Sequence, residues 1–290
     1  MHTLTWFPKV RAHTGRAGGW VVSEVVVVTG IGGMGVACAR RVGNGRRLVI
    51  ADFNEEKLGA EAEHLAADGF DVTPHAVDVS DRASVTALAA RAGSMGTLRT
   101  VVHTAGLSPT QASAARVLEV DMLGTDYVLA EFLPLVTDGT VAVCIASMAG
   151  YMAGLIPERE RALAVAPTDA LLDTLGPVDL DDFGGTYGIA KRINQLRVEQ
   201  AAGPWGTRGG RVVSISPGII STPMTHQELA EGAGEQMRGM LDLSPVARIG
   251  TAEDIAAAVA WLASPEASFV SGCDLRVDGG VTGIIRGLIS

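Results

Sequence analysis

Short unbroken runs of apolar, mostly branched residues recur along this chain, and between them lie longer stretches with helical spacing. Val25–Val28 ends at Gly30, and after a glycine cluster Val36–Val42 carries helical spacing. Leu48–Ala51 is followed by Glu55–Ala67, which is rich in helix formers. Val72–Ala76 precedes a helix from about Arg82 to Arg91, and Thr100–His103 precedes a long helical stretch from Ala112 to Leu135. Val141–Ala146 is the fifth run. After an irregular segment come the helix Tyr187–Ala202, the run Arg211–Ser216, helices near Pro223–Leu243 and Thr251–Leu262, and a last strand at Asp274–Val277. A strand that is apolar at every position has no wet face, which is the condition of a parallel strand covered on both sides.

Seven strands alternating with helices predict an α/β fold: a Rossmann-type doubly wound, seven-stranded parallel sheet in a single domain. Ligands of such sheets bind at the carboxyl ends of the strands. The 290 residues suit one domain, with no linker and no internal repeat to divide it. Residues 23–290 form that domain, and residues 1–22 stand outside it as an extension expected to be flexible and functionally idle. With 47% hydrophobic residues the chain can bury a large core. The formal charge of −9 speaks against nucleic acid or an anionic membrane as partner. Cys38, Cys144 and Cys273 lie far apart inside apolar runs, and the six histidines are scattered. The cysteines are expected to be small buried hydrophobes in a reducing cytoplasm, and no metal site is expected. The uncharged run from Gly139 to Pro157 is broken by Ser147, Gly150 and Gly154, and reads as a strand and loop.

Candidate chemistry starts at the first turn. Gly30, Gly33, Met34 and Gly35 join the first strand to the first helix, where a tight turn lets a pyrophosphate approach the backbone. Asp52, followed by Phe53, ends the second strand about twenty residues later, where a carboxylate can hold the two ribose hydroxyls of an adenosine. The same carboxylate repels a 2′-phosphate, so the expected cofactor is NAD. Tyr187 and Lys191 lie four residues apart on one helical face of a chain with only three tyrosines and three lysines. An ammonium beside a phenol favours the phenolate and makes an acid/base usable near neutrality.

With these motifs the chain resembles the short-chain dehydrogenase/reductase family, of the compact type, over residues 24 to about 280. Further matches follow in family order. Asp78 and Val79 stand after the third strand, where the family holds the adenine. His103-Thr104-Ala105-Gly106 stands where the family has Asn-Asn-Ala-Gly. Ser147 ends the fifth strand, and Pro217-Gly218-Ile219-Ile220-Ser221-Thr222 follows the sixth, where the family grips the nicotinamide. Val277-Asp278-Gly279-Gly280 closes the match. The resemblance implies hydride transfer between nicotinamide and a secondary alcohol or carbonyl, of a bulky apolar or hydroxysteroid-like kind. It gives Tyr187 the proton, Ser147 the substrate oxygen, and Lys191 the ribose hydroxyls and the poising of Tyr187. It also implies a homodimer or homotetramer, built on the helix of Tyr187 and the helix before it.

Four departures accompany the resemblance. The glycine turn is one residue shorter than the compact pattern. Asp121 stands at the family's asparagine, which puts a water relay from Lys191 in doubt because a carboxylate cannot donate. His103 replaces an asparagine. Ser147 and Tyr187 are forty residues apart, so 151–185 is an insertion at the rim of the site, with a lid expected at about 219–246 that holds Met224, Met237 and Met240. The insertion offers Leu163, Val165, Leu171, Leu172 and Leu175 as apolar positions in need of a partner surface, and Glu158, Arg159, Glu160 and Arg161 as a solvated stretch. Two alternatives remain beside an NAD-dependent oxidoreductase. One is an extended-type nucleotide-sugar epimerase or dehydratase; the other is a non-catalytic dinucleotide-sensing regulator.

Overall fold

The computed structural model describes residues 23–289 apart from 109, 180–181 and 231–233. The extension expected over 1–22 lies outside the described residues. Strands β1 (Glu24–Thr29), β2 (Arg47–Asp52), β3 (Asp71–Ala76), β4 (Thr97–His103), β5 (Val141–Ile145) and β6 (Arg211–Pro217) form one sheet. A short pair, β7 (Ile220–Ser221) with β8 (Gly250–Thr251), lies apart, and β9 (Asp274–Val277) completes the main sheet. Its order is 3-2-1-4-5-6-9 and every pairing is parallel. The order reverses between β1 and β4, so a crevice opens there at the carboxyl ends of the strands. β3 is an edge strand, which is why it tolerates Pro74 and stays half exposed.

Alternation along β1 divides the core. Val26 and Val28 face α1 (Gly33–Val42), α2 (Glu55–Ala67) and, late in the chain, the apolar side of Ala252–Leu262. Val25 and Val27 face α3 (Arg82–Met95) and the helices that follow β4 and β5. The side chains of β1 from Val25 to Val28 are all fully buried, as the unbroken apolar run requires.

The stretch expected as one helix from Ala112 to Leu135 is broken. α4 (Ala114–Val117) passes into a π-helical turn over Leu118–Leu123, then α5 (Gly124–Phe132) and a 3-10 turn over Leu133–Leu135. An extra residue in the turn re-aims the side chains around it, a feature that propensity does not encode. Here the π turn holds Asp121, completely buried.

The segment expected as an insertion carries helices among its described residues. After a 3-10 turn at Met148–Met152 come α6 (Pro157–Val165), which packs on α8 (Phe183–Gly206), and α7 (Leu171–Leu175), which packs on α6. Leu163, Leu171 and Leu175 join Val117, Met122 and Ile193 in a third core cluster. The leucines thus find their partner surface within the chain, while Val165 and Leu172 stay exposed. The solvated stretch also divides: Glu158 pairs with Arg161 in water, but Glu160 is half-buried and bonded to Arg192. After β6 come α9 (Pro223–Ala230) and α10 (Gly234–Leu243) in the segment expected as a lid, then α11 (Ala252–Leu262) and α12 (Val281–Ile289). Cys38 and Cys144 are buried as expected, whereas Cys273 is exposed because it stands at the mouth of the edge strand β9.

Candidate active site

The turn between β1 and α1 is built for close approach. Gly30 has φ +82°, and a Cβ on it would stand 2.4 Å from the Ala105 nitrogen. A Cβ on Gly35 would stand 1.8 Å from the Gly30 carbonyl oxygen. α1 starts behind Gly32, which has no side chain to cap the first turn, so its amides are presented to an anion. Asp52 reaches across from β2: its carboxylate accepts from the Ile31 amide at 2.6 Å and from the Asn54 amide at 2.9 Å. The shortened turn is therefore latched to the acid that ends β2.

A cleft of about 730 Å³ opens above this turn. Its walls include Gly30, Gly33, Met34, Gly35, Asp52 and Phe53, then Asp78, Val79, Thr104, Ala105 and Gly106, and finally Thr222. Residues from five strand ends that are far apart in sequence are thus brought together. Asp78 is fixed by Ser80 and by Arg116, whose Nη2 donates to Asp78 Oδ2 at 2.9 Å. Burial works against the Asp78 carboxylate, but these bonds outweigh it and hold it below the usual carboxylate range. Lys57 and Arg116 also line the cleft. The alternating-pattern reading missed both, because only the fold carries α2 and α4 to the crevice. Pro217 is buried at the end of β6, and Gly218 and Ile220 line a separate cavity of about 170 Å³ beneath α10.

The second centre lies under α8. Tyr187 and Lys191 face the same way, with Lys191 Nζ 5.5 Å from the Tyr187 ring centre. Nζ also lies 3.1 Å from Asp121 Oδ2 and donates to the Ile145 carbonyl at 3.4 Å. Asp121 Oδ1 accepts from the Leu107 amide at 2.7 Å. At the position where the resemblance expects an asparagine, the carboxylate meets the ammonium directly, because the π turn delivers it there. Burial works against the charge of Lys191, yet Asp121 and then Tyr187 more than offset it, so the ammonium persists above the ordinary lysine range. A Cβ on Gly106 would stand 3.1 Å from Lys191 Nζ, so this centre adjoins the wall of the cleft.

Ser147 caps the 3-10 turn that follows β5, its Oγ accepting from the Ala149 amide at 3.2 Å. That turn packs directly on α8, which places Ser147, Tyr187 and Lys191 in one neighbourhood. His103 is buried, with Nδ1 2.7 Å from Thr29 Oγ1. Burial, and then the nearby Lys191 ammonium, push its pKa down to about 3, so the ring is neutral packing. Two arginines went unnoticed in the sequence. Arg197 makes a two-bond pair with Asp126 at 2.6 and 3.0 Å and donates to the carbonyls of Leu163, Ala164 and Ala166. Arg192 pairs with Glu160. Each sits on α8 at a position where a lone basic residue signals only a solvated helix face.

Residues 24–156 match the family model described as short chain dehydrogenase, and residues 179–282 match that described as enoyl-(acyl carrier protein) reductase. The chain is 37% identical over 261 residues to the short-chain dehydrogenase/reductase bsc3 of Alternaria brassicicola, covering 89% of this chain and 95% of that one. It is 31% identical to 3beta-hydroxysteroid dehydrogenase 1 of Eggerthella lenta, covering 89% and 94%. Among solved structures, a short-chain type dehydrogenase/reductase from Mycobacterium ulcerans superposes with a TM-score of 0.72 at 25% identity, covering 90% of each chain. With the seven-stranded parallel sheet already described, these likenesses settle the family: the chain belongs to the short-chain dehydrogenases/reductases and is an oxidoreductase of that class.

Proposed function

We propose that this enzyme uses NAD(H) and moves hydride between the nicotinamide and a secondary alcohol or its ketone. The observation that carries the reading is the Lys191 ammonium, fixed between Asp121 and the Ile145 carbonyl with Tyr187 one helical turn away. The Ile145 carbonyl takes one ammonium proton and Asp121 pairs with the charge, which leaves donor capacity for a ribose hydroxyl or the phenol. The glycine cradle, the uncapped start of α1 and the Asp52 carboxylate fit a dinucleotide: Gly30, Gly33, Met34 and Gly35 would hold its pyrophosphate, and Asp52 its adenosine ribose. When bound, the cofactor supplies or accepts the hydride. Tyr187 gives or takes the hydroxyl proton, and Ser147 donates to the substrate oxygen, so the developing alkoxide meets two donors. Lys191 orients the ribose and poises Tyr187.

The preference for NAD rests on Asp52, which would repel a 2′-phosphate. The substrate class proposed is bulky and apolar. Met237 and Met240 of α10 are half-buried in the lid region, where thioethers suit an adaptable wall, and the Eggerthella lenta relative is by its name a hydroxysteroid dehydrogenase. A small-molecule partner, a homo-oligomer and a cytoplasmic location complete the proposal.

The test combines a cofactor titration with one substitution. NAD⁺ should quench intrinsic fluorescence at far lower concentration than NADP⁺; comparable affinities would reassign the cleft, with Lys57 as the phosphate partner. Tyr187→Phe should abolish NADH formation from hydroxysteroid, aryl and aliphatic alcohols while NAD⁺ binding persists. Substantial residual turnover would remove Tyr187 from the chemistry.

A further inference from the structure

A chain of hydrogen bonds runs from the insertion to the backbone of Ser147. Glu160, in α6, accepts from Arg192 Nε at 2.6 Å and from Nη2 at 2.9 Å. Arg192 Nη1 donates to Gln195 Oε1 at 3.0 Å. Gln195, fully buried, donates through Nε2 to the Ser147 carbonyl at 3.3 Å and to Ser216 Oγ at 2.9 Å. Ser216 belongs to β6, so Gln195 ties the turn that carries Ser147 to the body of the sheet.

Chemistry fixes the direction of these bonds. A guanidinium donates and never accepts, so the oxygen of the Gln195 amide must face Arg192. Its NH₂ group must then face Ser147 and Ser216. A flipped amide would set NH₂ against the guanidinium and oxygen against the Ser147 carbonyl, two repulsions in a buried place. Arg192 can enforce this only while its own plane is held, and the paired bonds to Glu160 hold it. The bonds from Arg192 lower the affinity of Glu160 for a proton, so the carboxylate that completes the fork stays charged.

We propose that Glu160 and Arg192 are positioning residues for Ser147: the insertion braces the serine through the orientation of the Gln195 amide. The proposal rests on the reading of Ser147 as donor to the substrate oxygen. It makes the insertion part of the catalytic framework, although no side chain of α6 needs to touch substrate.

The experiment compares full-length wild type with Glu160→Gln, using NAD⁺ and whichever secondary alcohol of the hydroxysteroid, aryl and aliphatic panel the wild type oxidises fastest. One weakened hydrogen-bonded link predicts kcat lower by about three- to tenfold, with KM and NAD⁺ affinity little changed. Amide exchange over residues 148–152 should quicken, while exchange in the turn at Gly30 stays as it was. In a Gln195→Ala background, Glu160→Gln should add nothing. Arg192→Lys, which keeps the charge and loses the fork, should reproduce the effect and serves if Glu160→Gln does not fold. Unchanged kcat and exchange, or effects that add in the double variant, overturn the brace. Ser147→Ala runs alongside. If it is inactive while Glu160→Gln is normal, the brace alone falls; if it is active, the reading of Ser147 falls and the brace with it.

Discussion

Lys191 and Asp121 form an ion pair with almost no access to water, their side chains 6% and 0% exposed. Such a pair is favourable only while both members are present, because each alone is a charge without solvent. Asp121→Leu should therefore lower stability by about 3–5 kcal/mol, read from denaturant unfolding. Asp121→Asn removes the charge and turns one of the two carboxylate oxygens into a donor, leaving a single oxygen to serve Lys191 and the Leu107 amide. It should be active, but the ammonium, raised by Asp121, should now titrate at lower pH, so the alkaline limb of the pH–rate profile moves down. A profile that does not move would show that the carboxylate leaves Lys191 unaffected. His103 supplies the acid side. Its folded pKa of about 3 lies below the ordinary 6.5, so the unfolded chain binds the extra proton first. Stability from this residue is complete above about pH 6.5 and is lost as the pH falls toward 3. His103→Asn should flatten melting temperature against pH between 6 and 4; an unchanged slope would assign acid sensitivity to other groups. Asp121 and His103 stood out in the sequence as departures from a pattern. What they touch did not, since Leu107 and Lys191 become partners of Asp121, and Thr29 the partner of His103, only through the fold.

At the scale of elements, the insertion shows how much a helix can hide. Its leucines were visible as apolar positions, but spacing alone could not say whether they faced a partner or another part of the chain. α8 decides it, because two of its arginines bond to this segment, Arg192 to Glu160 and Arg197 to the carbonyls at the end of α6. Arg197 satisfies the carbonyls at the end of α6, which a helix terminus leaves without partners, and neutralises the nearly buried Asp126. Arg197→Met should then cost about 3 kcal/mol or more, since it leaves a buried carboxylate and orphan carbonyls together. Urea unfolding measures it, and a loss below about 1 kcal/mol, the range of a surface pair, would show that α6 is held by its leucines alone. The π turn at Leu118–Leu123 belongs to the same scale. Its residues read as ordinary helix, and only the demand for a carboxylate beside Lys191 distinguishes it.

For the molecule as a whole, the insertion changes what α8 can offer to another copy. The helix that carries Tyr187, expected to pack across a two-fold axis, has part of its outer face covered by α6. Val165 and Leu172, 69% and 43% exposed, are apolar side chains that the insertion leaves outside. Val165→Asp with Leu172→Asp should lower the mass measured by light scattering if the insertion has joined the interface. An unchanged mass would mean that it shields α8 and that assembly uses another surface. The sequence by itself determined the seven strands, the full burial of β1, the glycine turn, Asp52, and the Tyr187–Lys191 spacing. All are local: an apolar run, a tight turn and a four-residue helical step each carry their own physical signature within a few residues. The tertiary structure alone decided that Asp121 meets Lys191, that Asp52 latches the shortened turn, and that Glu160 reaches Ser147 through Arg192 and Gln195. Those contacts join residues tens of positions apart, and a hydrogen bond or a buried charge has no partner until the sheet and its helices have brought one within about 3 Å.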